Sequence, residues 1–234
     1  MNFFKKLMIG LLVLAMIGAS IVAGIGTGTP AQAQSSTVPI LVVVNSAATN
    51  KFGAYLGEIL RAEGLNAYDV KELSALTAGD LSSHDVTILA ETPLTTAQAT
   101  LFSNHVAGGG RLIAMRPDTQ IAGLFGLAAP SGTVSDGYVQ INATALLGTE
   151  RPGEGLPTAT LQIHGVAGRY ALSGGVELAR LYSNATTTTT FPAVAGAATG
   201  RTAASTYDLA QSVVYTRQGN PANANVDRDG DGVI

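Results

Sequence analysis

The sequence predicts an α/β chain: a doubly wound, mostly parallel sheet, with antiparallel strands added in the C-terminal half. Three observations carry this. Short apolar runs at residues 38–44, 85–90 and 111–115 alternate with segments of helical period. The connections between them are long enough for right-handed crossovers and too polar for hairpin turns. Beyond residue 118 the pattern changes to short strands set among Gly, Thr and Ala.

The elements follow in chain order. Val38-Pro39-Ile40-Leu41-Val42-Val43-Val44 is a continuous β-branched run, the signature of a strand buried on both faces. Residues 45–50 are a polar loop. In 51–63, Phe52, Tyr55, Leu56, Ile59 and Leu60 recur at helical spacing, and Gly64 supplies the stop. Residues 65–70 form a second strand, and a polar stretch with room for one helical turn leads to a third at 85–90. Thr95 or Thr96 caps a helix running to about Val106, Gly108-Gly109-Gly110 ends it, and residues 111–115 are the fourth strand. Residues 138–141, 160–164 and 176–182 read as short strands. Thr186–190 is a loop or an edge. Residues 191–198 and 201–207 form a hairpin through Thr199-Gly200, and Asp208 caps a last helix over 209–217.

The 234 residues are 46% hydrophobic and 12% charged, with no Cys and no Trp. That composition is globular. The missing cysteines remove disulfides, thiolate-held metals and thiol nucleophiles from this chain. The formal charge of −3, with no basic run beyond Lys5-Lys6, gives no footprint for nucleic acid. Much of the mean hydropathy of +0.28 comes from the N-terminus. There, two lysines, an uncharged apolar stretch over 7–25 and Ala31-Gln32-Ala33 occur in the order of a secretory signal peptide. Residues 1–33 are therefore expected to be cleaved, the alternative being a retained anchor, since the stretch is long enough to span a bilayer. Those residues hold two lysines and no acid, so cleavage leaves 201 residues at a charge of −5. The expected organisation is a signal at 1–33, one α/β domain at 34–218 and a polar tail at 219–234. The mature chain is expected to be secreted or extracytoplasmic, with no stable membrane span.

The opening strand, the helix ending in Ala62-Glu63-Gly64, and Phe102-Ser103-Asn104-His105-Val106-Ala107-Gly108-Gly109-Gly110-Arg111-Leu112-Ile113 together resemble the class I glutamine amidotransferase-like superfamily. The resemblance covers residues 38–218 and implies a flavodoxin-like, amidotransferase-like sheet. It also implies where a catalytic member would place its nucleophile, a Cys on a tight elbow after the fourth strand. This chain has Arg116-Pro117-Asp118 there, without a Cys and without the small residues expected of such an elbow. The family's base is a His in Gln-x-His-Pro-Glu; here Gln162-Ile163-His164 is followed by Gly165-Val166, so His164 can occupy the base position while the Glu is missing. Glutamine hydrolysis is excluded on these grounds.

The candidate catalytic residues are His164, Asp118 and Glu91. On a strand over 160–164, His164 shares a face with Gln162; the alternative is a half-exposed strand histidine without a role. Glu91, Arg116 and Asp118 lie just past the carboxyl ends of predicted parallel strands, where open α/β sheets place their ligand crevice. For these the alternative is structural, Asp118 capping a helix over 119–123 and Arg116 pairing with it at the surface. Ser46 and Asn50, in the loop after the first strand, join the same rim as candidate ligand-binding residues. Ser46, His164 and Asp118 can be composed into a triad on paper, but no Gly-x-Ser-x-Gly elbow supports it. His105, on an apolar helix stripe, and His84, at a strand edge, read as structural. Asn142-Ala143-Thr144 and Asn184-Ala185-Thr186 match the glycosylation pattern, which is common by chance.

At the C-terminus, Asp227, Asp229 and Asp231 with Gly232-adjacent spacing (Asp227-Arg228-Asp229-Gly230-Asp231-Gly232-Val233) match the first half of a calcium loop of EF-hand or dockerin type. The position that would supply the bidentate carboxylate lies beyond Ile234. Calcium is thus the one cofactor the sequence suggests, and the abrupt end at Ile234 suggests either a chain cut short or the leading part of a longer polypeptide. The expected function is a secreted, non-catalytic binding or accessory module for a small-molecule, carbohydrate or cell-envelope ligand. A hydrolase using the strand-end crevice and a purely structural surface-protein domain are the alternatives.

Overall fold

The computed structural model describes residues 38–223. The first half alternates strands and helices: β1 Ile40–Val44, a 3-10 turn at Phe52–Tyr55 leading into α1 Leu56–Ala62, β2 Tyr68–Glu72, α2 Ala78–Ser82, β3 Val86–Leu89, α3 Thr96–Ala107 and β4 Leu112–Met115. The second half is mostly strand: β5 Leu127–Ser135, β6 Tyr138–Ile141, β7 Leu161–Gln162, β8 Val166–Leu172, β9 Gly175–Tyr182, β10 Thr188–Ala197 and β11 Thr202–Ser205, closed by α4 Leu209–Gln218. Nine strands form one sheet in the order β2-β1-β3-β4-β11-β10-β9-β6-β7, and β5 and β8 form a separate ribbon. From β2 to β11 neighbouring strands are parallel; from β11 to β7 they are antiparallel.

The winding follows from the residues. Along β1, Ile40 and Val42 face a core shared with Leu56, Ile59 and Leu60 of α1 and Leu209, Ala210 and Val213 of α4. Leu41 and Val43 face the other core, with Leu81 of α2 and Ala99 and Phe102 of α3. A strand apolar at every position needs cover on both sides, and crossover helices provide it. Helix ends are satisfied locally. Thr95 and Gln98 form a capping box at α3, Thr77 and Asp80 another at α2, and Asp208 caps α4 through Ala210 and Gln211 N–H. The hydrogen bonds and the Lys71 ammonium around Asp80 hold its carboxyl down at about 2. At the end of α3 the glycines are required by contact: Gly109 has φ +97°, and a Cβ on Gly110 would lie 2.2 Å from the His105 ring.

Three expectations are corrected. The second strand runs over Tyr68–Glu72, not 65–70, because the chain needs residues 65–67 to travel from the Gly64 turn (φ +88°) to the sheet edge. Its charged sequence suits an edge strand, which carries no apolar run to announce it. The ribbon β5–β8 was not expected at all: its Gly, Ala, Pro and Ser content and its register shifts near Pro130 hide the strand period. In place of a helix over 119–123 there is a 3-10 turn at Ala122–Phe125. No helix among the described residues is long and apolar enough to cross a membrane. The signal segment and the Asp227, Asp229 and Asp231 motif lie outside the described residues.

Candidate functional site

The loops that leave β1, β3, β4 and β11 all emerge at the carboxyl edge of the parallel strands, and each contributes one polar side chain to a common cluster. Asn50 follows β1, Glu91 follows β3, Arg116 follows β4 and Asp208 follows β11. The Asn50 amide nitrogen donates to Asp208 Oδ2 at 2.7 Å and to Glu91 Oε2 at 3.1 Å, while Arg116 Nη1 donates to Glu91 Oε1 at 2.7 Å. Asn50 Oδ1 accepts from Phe52 N–H at 2.8 Å, which fixes the amide so that its nitrogen faces the two carboxylates. Asp208 Oδ1 is occupied by the α4 cap. The cluster is therefore a chain: helix N-terminus, Asp208, Asn50, Glu91, Arg116.

Its electrostatics are those of charges withdrawn from water. Burial pushes the Glu91 carboxyl up; Arg116 opposes this and the nearby Asp208 charge adds to it. Burial likewise raises Asp208, against the hydrogen bonds from Asn50, Gln211 and Ala210.

Arg116 is held in an unusual conformation. Its φ is +39°, in the left-handed region that costs a side-chain-bearing residue roughly 1–3 kcal/mol. The backbone thus makes a sharp turn after β4 even though the small residues expected of an elbow are absent. Neighbours over-determine it: Arg116 N–H donates to Ser205 O at 2.8 Å on β11, and the next carbonyl, Pro117 O, accepts from Tyr170 Oη at 2.6 Å. Burial pushes the Tyr170 hydroxyl up to about 12, so it stays a donor.

Around this chain lies a cleft of about 380 Å3 lined by residues 48–50, Glu91, Thr92, Pro93, residues 116–119, Pro130 and Tyr170. Of the residues singled out from sequence, Asn50, Glu91, Arg116 and Asp118 meet here. Asp118 is committed to the loops: Oδ2 accepts from Leu94 N–H at 3.0 Å and Oδ1 from Gln120 N–H at 2.8 Å. Ser46 lies in a smaller adjoining pocket of about 130 Å3, across the Asn50–Glu91 contact, with Lys51 and Glu72. Ser46 N–H donates to Glu72 Oε2 at 3.0 Å, and the Lys51 ammonium donates to Ser46 O.

His164 is not in the cleft lining. The strand before it ends at Gln162, and His164 N–H donates to Ser212 Oγ of α4 at 3.1 Å. His84 and His105 are at the opposite edge of the sheet, where they line a separate pocket of about 680 Å3. His84 bonds Asp80 O and Asp69; burial holds the His105 imidazole below its ordinary range. Among the described residues no three His, Cys, Asp or Glu side chains cluster as a metal site would require.

Sequence reasoning missed Asp208 as a member of the site, seeing only the helix cap. The sequence announces the strand before it only as one arm of a hairpin, and β11 also pairs parallel to β4. That pairing brings its carboxyl end into line with the others.

No family model and no curated protein matches the chain. Solved structures do. An α-L-fucosidase isoenzyme 2 from Paenibacillus thiaminolyticus aligns with TM-score 0.58 and 16% identity over 77% of this chain. A ThuA-like protein from Bacteroides uniformis aligns at 0.52 and 15% over 77% of this chain and 86% of its own. A glutamine amidotransferase from Thermotoga maritima aligns at 0.50 and 10% over 74% of this chain and 76% of its own. The fold is similar to that of the amidotransferase-like proteins. This chain spans 30% of the fucosidase, so that likeness concerns one part of a larger enzyme.

With that fold, Arg116 stands directly after β4, where the resemblance implied a nucleophile. The hydroxyls that line the cleft belong to Thr49, Thr92, Thr119 and Tyr170, with no thiol or imidazole among them. What the arrangement offers is a set of fixed donors and acceptors beside the exposed Pro93 and Pro130.

Proposed function

We propose that this chain is a secreted, non-catalytic amidotransferase-like module that binds a carbohydrate in the strand-end cleft and serves as an accessory domain. The observation that carries this is the Asn50–Glu91–Arg116 chain. Its groups are pre-organised by one another, its cation and nearest anion neutralise each other, and it lies beside the exposed rings of Pro93 and Pro130. A neutral ring with hydroxyls on its edge and C–H groups on its face suits such a cleft. The structural neighbours include a glycosidase, the α-L-fucosidase, which supports a carbohydrate setting.

The hydrolase alternative keeps one supporting observation, the burial-raised Glu91 carboxyl at the cleft. It lacks a partner: both Asp118 oxygens accept backbone N–H groups, and His164 does not line the cleft. Calorimetric titration of the full chain with neutral oligosaccharides tests the proposal. Binding weakened at least tenfold by Arg116→Ala is expected. Turnover of a glycoside, abolished by Glu91→Gln, would replace the binding reading with the hydrolase.

A further inference from the structure

Between β9 and β10 the chain turns through residues 183–187, and residues 183–188 are all exposed. No charged residue lies between Arg180 and Arg201, so hydroxyls and one side-chain amide are the polar groups this tip offers to water. The tip is closed locally. Ser183 N–H donates to Thr187 O at 2.9 Å, and Asn184 Oδ1 accepts from Thr186 N–H at 3.0 Å and from Thr187 N–H at 2.8 Å. Thr160 Oγ1, donating to Ala185 O at 2.8 Å, ties it to a distant part of the chain.

That turn accounts for the Asn but not for the Thr. Asn184 closes it through two backbone N–H groups, which any residue other than proline at 186 would supply. Thr186 adds a hydroxyl, which donates to the same Oδ1 at 3.3 Å and completes Asn184-Ala185-Thr186, an Asn-x-Thr acceptor pattern. With Oδ1 engaged in this way, the Asn184 side-chain nitrogen, a donor of two N–H groups, has no partner among the described residues.

The second match, Asn142-Ala143-Thr144, has the same internal bonds in a different setting: Asn142 Oδ1 accepts from Thr144 N–H at 3.2 Å and from Thr144 Oγ1 at 3.0 Å. Asn142 and Ala143 are half-buried where β6 ends. Asn142 N–H donates to Leu178 O at 2.9 Å, and Gly153 packs so close that a Cβ on it would lie 2.6 Å from Asn142 O and 3.1 Å from Ala143 Cα. An enzyme that must draw the acceptor into its own site can take an exposed hairpin tip, but it would have to pull residues 142–144 away from the sheet.

We infer that Asn184, and not Asn142, is a modification site: the acceptor of an N-linked oligosaccharide transferred to the folded, exported chain from a polyprenyl-diphosphate carrier. In that transfer the Asn184 side-chain nitrogen bonds to C1 of the first sugar and the C1–O bond to the carrier breaks. The diphosphate leaves with the bonding electrons, and the amide gives up one proton. The inference rests on the export part of the proposed function and not on the cleft, whose lining includes no residue of the tip.

Trypsin separates the two patterns. Arg116 and Arg151 precede proline and resist cleavage, so the peptide 112–169 holds only Asn142 and the peptide 181–201 only Asn184. The first test is peptide mass spectrometry of the protein recovered from outside the cells that produce it. A saccharide mass increment on 181–201 is expected, lost in Asn184→Gln and Thr186→Val, kept in Thr186→Ser and unaffected by Asn142→Gln. Positions 184 and 186 are exposed, so these variants keep the fold. An exported chain with 181–201 unmodified, or with the increment on 112–169 alone, would overturn the inference. A chain found only inside the cell would defeat the export reading instead, and a second test then settles the acceptor. The purified folded chain is given a single-subunit oligosaccharyltransferase and a polyprenyl-diphosphate oligosaccharide. Transfer to Asn184 at least tenfold faster than to Asn142 is expected; equal rates, or no transfer to Asn184, would overturn the assignment.

Discussion

Asn50→Ala removes the one donor that Asp208 Oδ2 and Glu91 Oε2 share, at 2.7 and 3.1 Å. A hydrogen bond to a charged group contributes about 1.5–3 kcal/mol, and a buried carboxylate left without its donor also bears its desolvation cost. Asp208 is 2% exposed and cannot recover the loss from water; Glu91 opens to the cleft and recovers part. The expected destabilisation at pH 7 is about 3 kcal/mol, or about 6–12 °C in melting temperature for a domain of this size. The pH dependence is the sharper signature. Both carboxyls are already raised in the folded chain, and losing Asn50 raises them further. A folded-state value above the unfolded one means that stability falls as pH climbs past the unfolded range, 3.8 for Asp and 4.5 for Glu. Below that range both groups carry protons in both states, and the variant loses only neutral hydrogen bonds, about 1 kcal/mol. Urea unfolding of parent and variant from pH 3.5 to pH 8 should therefore show a gap that opens with pH. A gap of constant size, or one that closes as pH rises, would refute the assignment of Asn50 as the donor between two buried carboxylates.

Val43→Asp places a charge inside the second core, at a fully buried position of β1, and should cost more than about 4 kcal/mol; an unchanged urea midpoint would mean that β1 is not covered on both faces. N-terminal sequencing of exported protein is expected to begin at or near Gln34, whereas Met1 retained in a membrane fraction would indicate an anchor. Calorimetry of the 234-residue chain with Ca2+ should give millimolar or weaker affinity from Asp227, Asp229 and Asp231; micromolar binding would show that another ligand completes the site.

What could be read from sequence divides along physical lines. β1, β3 and β4 are buried on both faces, so their apolar runs announce them, and the Thr95 box and the Asp208 cap mark helix starts by chemistry alone. β2, at the edge, and the β5–β8 ribbon bury too little of themselves to carry a period. In the site, the strand-end rule found Asn50, Glu91, Arg116 and Asp118, since it depends only on where strands stop. It could not find the role of Asp208, which depends on β11 inserting between β4 and β10, a pairing between residues about 90 apart in the chain. Nor could it foresee the left-handed turn at Arg116, which long-range contacts to Ser205 and Glu91 impose on a residue with no local preference for it.

The most direct test of the central claim is amide shift mapping of the full chain against a panel of neutral mono- and oligosaccharides, with Arg116→Ala as the control. The account predicts saturable shifts at Asn50, Glu91, Thr92 and Arg116 for at least one sugar, lost in the variant. Shifts absent from this cleft across the whole panel, in a chain whose spectrum shows it folded, would contradict it.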